Sequence, residues 1–295
     1  MIYAGELAAL ATAVCWTASS LSFALAGVRV GSLAVNIIRL VMALIAFMAV
    51  GVWTTGELFP CSATPAAWCW LSLSGLAGFF IGDLCLFRAF VEIGPRLSML
   101  IMALAPPLTA LGGWLTLGEK LTALHLIGMA VTLAGVVWVV TETPEHGAPH
   151  KFSWRGGALA FGGCLGQAAG VILAKPGMAG VASPFAATEI RLLTGLGCFL
   201  ILAAVLGWFP QIARGCRDRH ALAQLALGAL TGPFLGVSLL LFAITRIPTG
   251  LAQTFAALTP VLIIPFSAAL YHERFSRRAL AGALLAFAGV ALLFV

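Results

Sequence analysis

Residues 117–136, LGEKLTALHLIGMAVTLAGV, and residues 271–290, YHERFSRRALAGALLAFAGV, are two versions of one segment. Shifting the chain by 154 positions lays the window Gly78–Thr141 on Gly232–Val295 without a gap. About 17 of its 64 positions are identical, against roughly 6 expected by chance in so narrow a composition. The matches fall on residues that constrain the backbone or carry charge. Gly78, Gly82, Pro106, Glu119, Gly128 and Gly135 lie on Gly232, Gly236, Pro260, Glu273, Gly282 and Gly289. Further upstream, Arg39 falls on Arg191 with a shift of 152. The chain is an internal duplication, so the fold question becomes what one copy is.

Composition answers it. The 295 residues are 61% apolar and 9% charged, whereas soluble domains carry about 25% charged residues. That is too little polar surface for a soluble globule, which excludes a cytosolic enzyme, a nucleic-acid binder and a disordered chain. A spanning helix needs about 20 apolar residues. Ten apolar runs are present: Leu7–Ala26, Leu33–Trp53, Ala67–Phe90, Leu97–Leu117, Leu121–Val140, Gly157–Ala174, Pro184–Leu206, Leu222–Ala243, Leu251–Leu270 and Leu280–Val295. Period-two alternation is absent, which excludes a strand barrel. The first run lacks a basic flank and a cleavage site and reads as a retained helix. The polar stretch 141–154, TETPEHGAPHKFSW, is the linker. The expected units are 1–141, a cytoplasmic linker at 142–155, and 156–295. Five spans per unit is an odd number, so the second unit enters the membrane in the opposite sense. The expected fold class is an all-α integral membrane protein of ten transmembrane helices, arranged as two inverted five-helix repeats.

Charge gives the orientation. Of 16 Lys and Arg residues, eleven fall on the expected loops of the linker side and three (Lys120, Lys175 and Arg246) on the side of the amino terminus. The positive-inside rule makes the linker side cytoplasmic and places both termini outside the cytoplasm, at the plasma (inner) membrane. Four ionisable residues remain inside spans: Arg39, Asp83, Glu189 and Arg191. Each costs roughly 2.5–3.5 kcal/mol to insert, which makes them functional candidates. Arg39 and Asp83 sit about 10 Å inside the same face and are placed to pair, as a gate or as a static structural pair. Asn36 shares the helical face of Arg39. The second copy has Val237 where the first has Asp83, so Arg191 is either free for an anionic group or snorkels to the outer interface. Proton coupling, where present, falls to Glu189, because an adjacent Arg39 keeps Asp83 ionised. Pro106, Pro107 and Pro260 interrupt their helices at matched positions and point to a midplane site.

The two quoted segments, with ALAP around Pro106 and ALTP around Pro260, resemble the paired signature of EamA-type transporters of the drug/metabolite transporter superfamily. The resemblance implies a ten-helix bundle with a central substrate cavity between the halves and no ATPase domain. Its members move amino acids, metabolites or cationic toxicants. It also marks Trp16, Gln167 and Gln253 as cavity-lining candidates, among polar span residues that include Thr17, Ser19, Ser20, Ser238 and Thr254. Two family features are missing: a basic cluster after the second span and a basic carboxyl tail. The expected function is secondary transport of small polar or amphipathic metabolites by alternating access, by a monomer or weak homodimer. The partners are then a small-molecule substrate and the lipid bilayer. An intramembrane lipid-modifying enzyme and a non-transporting scaffold or sensor are the alternatives. Catalytic motifs are absent, and neither cofactor nor metal is expected. His146 and His150 read as a solvated loop. Cys61 and Cys69 share an expected loop, the one place for a disulfide.

Overall fold

A computed structural model describes residues 3–142, 153–263 and 277–294. Among these residues every regular element is helical. We label them α1 (Ala4–Val30), α2 (Ser32–Thr55), α3 (Pro65–Gly75), α4 (Asp83–Met102), α5 (Ala105–Leu117), α6 (Ala123–Glu142), α7 (Trp154–Gly177), α8 (Pro184–Leu206), α9 (Phe209–Gly215), α10 (Arg219–Ala229), α11 (Val237–Ile244), α12 (Thr249–Ala256) and α13 (Arg277–Leu292). Seven helices are long and apolar enough to cross a membrane, and two shorter apolar helices cover Thr249–Ile263 and Leu280–Leu292. The chain is a multi-pass helical membrane protein. Such a fold follows from composition, because inside lipid each backbone N–H and C=O must find its partner within its own helix.

Local signals set the helix ends. Thr64 and Ser183 cap α3 and α8 by accepting from the amides of Ala67 and Ala186, each with proline in the first turn. Ser153 caps α7 through the Gly156 amide. Helices α2, α5 and α8 stop at Gly56, Gly118 and Gly207, all with positive φ, a backbone state in which a side chain would be strained. The expected linker lies mostly outside the described residues, with His146 and His150. Its edges are helical, since α6 runs through Glu142 and α7 begins at Trp154. Cys69 lies within α3 rather than a loop, and Cys61 and Cys69 form no disulfide. Lys175, expected in a loop, sits in the last turn of α7.

The third apolar run is not one regular helix. A seven-residue π-helical segment, Leu76–Gly82, joins α3 to α4, and a second, Leu230–Gly236, joins α10 to α11. The two segments are separated by the same 154 positions as the sequence repeat. The helix breaks also correspond: turns at Ala103–Leu104 and Ala257–Leu258 precede Pro106 and Pro260. Pro106 therefore lies in the first turn of α5 instead of kinking a continuous helix.

Helix α7 organises the first half. Descending α3–α4 runs antiparallel to it: Leu71 packs at Gly177, Gly82 at Gly166 and Ile93 at Gly156. Further along, Leu97 and Ile101 pack against the cluster of Ala89, Ile93 and Ala160, and Gly112 of α5 faces Ile172 of α7, so the chain has come back along α7 by that point. Helices α6 and α13 pack antiparallel through small residues: Gly128 meets Gly289 and Leu293, and Gly135 meets Gly282 and Ala286. The contact is reciprocal, each glycine touching the repeat counterpart of the other.

A side chain at Gly135 would overlap the backbone of Gly282 and Ala286, whereas a Cβ at Gly197 meets open space. Overpacking of this kind costs about 1–3 kcal/mol. Gly135→Leu should therefore lower the thermal unfolding temperature in detergent, and Gly197→Leu should leave it near the parent value.

Candidate functional site

Most hydroxyls in the spans satisfy themselves. Thr17 and Thr254 donate to carbonyls one turn back, at Ala13 and Gly250. Ser19 donates to the Trp16 carbonyl, and Ser238 donates to the Thr188 hydroxyl at 3.1 Å. Such bonds need no ligand. Several buried charged and amide side chains are not closed off on their own helix in this way. Buried atoms without a hydrogen-bond partner occur on Asn36, Arg39, Glu189, Arg191 and Gln253, and otherwise on His125 and Gln224 near the starts of α6 and α10. Buried polar groups in native proteins are nearly all paired, so each orphan needs an explanation.

Arg39 and Asp83 form the ion pair expected of them, joining α2 to the start of α4 through Nη2 and Oδ2. The Arg39 guanidinium lies between the rings of Phe23 and Phe87, 5.3 Å from each centroid, a favourable cation–π setting. One turn away, Asn36 is 1% exposed, and both of its amide atoms lack partners. Arg191 comes from the other half. It lies over the Phe79 ring at 5.3 Å, with its Nη2 beside Gly78 of the first π segment. It is 4% exposed, which rules out snorkelling to a surface. The Asp83 carboxylate acts electrostatically on Arg191 as well as on Arg39. One carboxylate thus lies within electrostatic reach of guanidinium groups from both halves, and it is in ion-pair contact with Arg39.

The other candidates lie on α1, α7, α8 and α12. Gln167 on α7 packs its backbone at Gly82, next to Asp83, and Trp16 on α1 packs its ring at Gly236. Gly82 and Gly236 are repeat counterparts, so Trp16 and Gln167 hold equivalent places. Glu189 makes no ion pair with Arg191, consistent with their spacing of two, and its Oε1 is an orphan. Gln253 is buried on α12 with its Nε2 unpartnered. Among the described residues, no group of three or more His, Cys, Asp or Glu could hold a metal ion.

The sequence reading missed a second constellation. Glu119, just beyond α5, accepts from Lys175 of α7 at 2.5 Å and from the Thr249 amide and hydroxyl at 2.8 and 2.7 Å. Its carboxylate sits at the N-terminus of α12, where the helix dipole favours negative charge. This latch ties three helices at the end of the bundle that holds the amino terminus. Its signal was available, because Glu119 is a repeat match to Glu273. At the opposite end, Arg29 pairs with Asp218 at 2.8 Å and Arg155 with Glu92 at 3.4 Å. Asp218 also caps α10; the Ala221 amide first, and then Arg29, hold its carboxyl below the usual range. All three ties join one half of the chain to the other.

A polytopic helical bundle with charged groups buried between two homologous halves defines a class of membrane carriers. The chain belongs to the EamA-like transporter family, whose model matches it twice, over residues 3–141 and 154–295. It is 34% identical over 80 residues to the uncharacterized membrane protein YMR253C of Saccharomyces cerevisiae. That match spans 27% of this chain and 19% of the yeast protein. A solved crystal structure is similar over 99% of this chain and 96% of its own, with a TM-score of 0.80 and 16% identity. At that identity the likeness speaks for the fold alone.

The shared carboxylate sets an order among variants. Asp83→Asn leaves two buried cations without a counter-ion and should cost about 3 kcal/mol or more of stability. Arg39→Gln should cost less, because Arg191 still faces Asp83, and the double variant should recover part of the loss. Denaturation in detergent measures all three. A further variant, Glu119→Gln, removes the charge that holds Lys175. Thiol labelling of a cysteine placed at Ala252, which is fully buried, should then accelerate several-fold.

Proposed function

We propose that this protein is a secondary transporter of small metabolites, amino acids or related polar and amphipathic compounds, working by alternating access across the plasma (inner) membrane. The observation that carries the reading is the set of buried, unsatisfied polar side chains between the two halves of an otherwise apolar bundle. A static scaffold gains nothing from such groups, whereas a carrier uses them to receive cargo. The same reading makes the protein a carrier and not an enzyme.

In this proposal the architecture is ten spans in two inverted five-helix repeats, with units 1–141 and 156–295. Beside the seven long helices, the π-interrupted helix from Pro65 and the two shorter apolar helices bring the count to ten. The reciprocal antiparallel contact of α6 with α13 is what a two-fold axis in the membrane plane produces. The two halves rock about the Asp83 cluster. The Glu119–Lys175–Thr249 latch closes one side, and the Arg29–Asp218 and Arg155–Glu92 ties close the other. Asn36, Arg39 and Asp83 form the inner part of the pathway, with Trp16, Gln167, Glu189, Arg191 and Gln253 as lining or gating residues. The paired helix breaks at Pro106 and Pro260 supply compliance near the midplane. The latch side faces outward, both termini lie outside, and the working unit is a monomer or weak homodimer.

Reconstitution tests this. Proteoliposomes holding the purified chain should take up at least one member of a radiolabelled amino-acid and organic-acid panel, saturably and with counterflow. Uptake equal to that of empty liposomes across the panel counts against transport. Glu189→Gln should abolish any dependence of uptake on a pH gradient; unchanged dependence sinks the proton coupling. A carboxyl-terminal reporter active only in the cytoplasm should stay silent, and strong signal reverses the orientation.

A further inference from the structure

Resting on the transporter reading, we infer that the cargo carries a single carboxylate that docks on Arg191 and that its remainder is apolar or aromatic. The inference starts from charge. Arg39 and Arg191 are both more than nine-tenths buried, and among the described residues the acid in ion-pair contact with this pair of arginines is Asp83. Arg39 holds that carboxylate directly. The Nε and Nη1 atoms of Arg191 have no hydrogen-bond partner. Glu189 does not fill the gap, since it makes no ion pair with Arg191 and has an orphan oxygen of its own. Among the described residues the cluster is thus one negative charge short, in a setting where an uncompensated charge is strongly unfavourable.

The repeat shows what is missing. Arg39 and Arg191 are counterparts, but the counterpart of Asp83 is Val237. The Ser238–Thr188 hydrogen bond holds that stretch of α11 against α8, the helix that carries Arg191. The second half therefore has the cation without the anion, and the cargo carboxylate supplies it. One missing charge calls for a monoanion, since a phosphate dianion would overshoot. The planar guanidinium matches the two oxygens of a carboxylate. Phe79 lies against Arg191, and Phe23 and Phe87 lie against Arg39, so the immediate surroundings of both cations are aromatic, and the Asn36 amide offers both a donor and an acceptor.

The test uses the purified full chain in phosphatidylcholine nanodiscs, which removes anionic lipid as a source of the charge. The probes are phenylacetate, its neutral isostere phenylacetamide, and phenethylamine. Phenylacetate should raise the unfolding temperature in a dose-dependent way, and the other two should not. In Arg191→Gln its apparent affinity should fall about tenfold or more, with Arg191→Lys intermediate because it keeps the charge and loses the fork. Without any probe, Arg191→Gln should unfold no earlier than the parent, because it removes an unpaired charge. The inference is overturned if the amide or amine stabilises equally, if the phenylacetate shift survives in Arg191→Gln, or if phenylacetate gives no shift. It is also overturned if Arg191→Gln without probe is as destabilised as Asp83→Asn. Liposome flux separates this from the parent reading. Phenylacetate binding without flux of any solute leaves the anion site and removes the transporter. Saturable flux of amines or amides without preference for acids leaves the transporter and removes the carboxylate.

Discussion

One carboxylate faces two guanidinium groups inside an apolar bundle, and the arrangement around it follows from that. Without Asp83, neither Arg39 nor Arg191 has a counter-ion in a region where water cannot replace it. Holding them in place needs more than Coulomb attraction. The rings of Phe23, Phe87 and Phe79 lie against the cations. Gly75 and Gly78 let α8 approach so closely that a Cβ at Gly75 would overlap the Arg191 backbone. The π segment at Leu76–Gly82 lies in this contact. A π turn re-aims the residues after it relative to an α-helix, and such turns concentrate at functional sites.

The duplication supplies symmetry, and the site departs from it. Both halves have a π segment, a break before a proline, and a glycine-lined antiparallel helix at the end. These shared features concern the backbone: they let helices pack closely in a medium where the hydrophobic effect does not drive association. The charges are shared only in part. Both copies keep the arginine, and one copy keeps the aspartate. The two copies are therefore alike in backbone and unequal in charge.

Ionic ties at the two ends of the bundle complete this logic. Each joins an acid of one half to a base of the other, and each sits where a helix starts or stops. The Glu119 carboxylate also caps α12, so breaking its pair with Lys175 leaves a hydrogen-bonded anion at a helix N-terminus and not a bare charge. Such a contact can open without unfolding the helices it joins.

Much of this was legible in the sequence. The apolar runs, the duplication and the odd number of runs per copy follow from composition and spacing, since lipid permits few ways to satisfy a backbone. Five of the buried orphans, Asn36, Arg39, Glu189, Arg191 and Gln253, were among the candidates, the charged ones because an ionisable group inside a span is costly. Hydroxyls such as Thr17 and Thr254, polar span residues not singled out as candidates, are spent on local carbonyls. The π segments and the Glu119 latch were not legible. Nor could the sequence say that Arg191 is buried near Asp83 with no ion-pair partner among the described residues. Each of these depends on which helices touch and at what height, over separations of up to 130 residues for Glu119 and Thr249. A pattern along one helix shows which face is apolar. The partner that face meets is decided only when all the helices pack together.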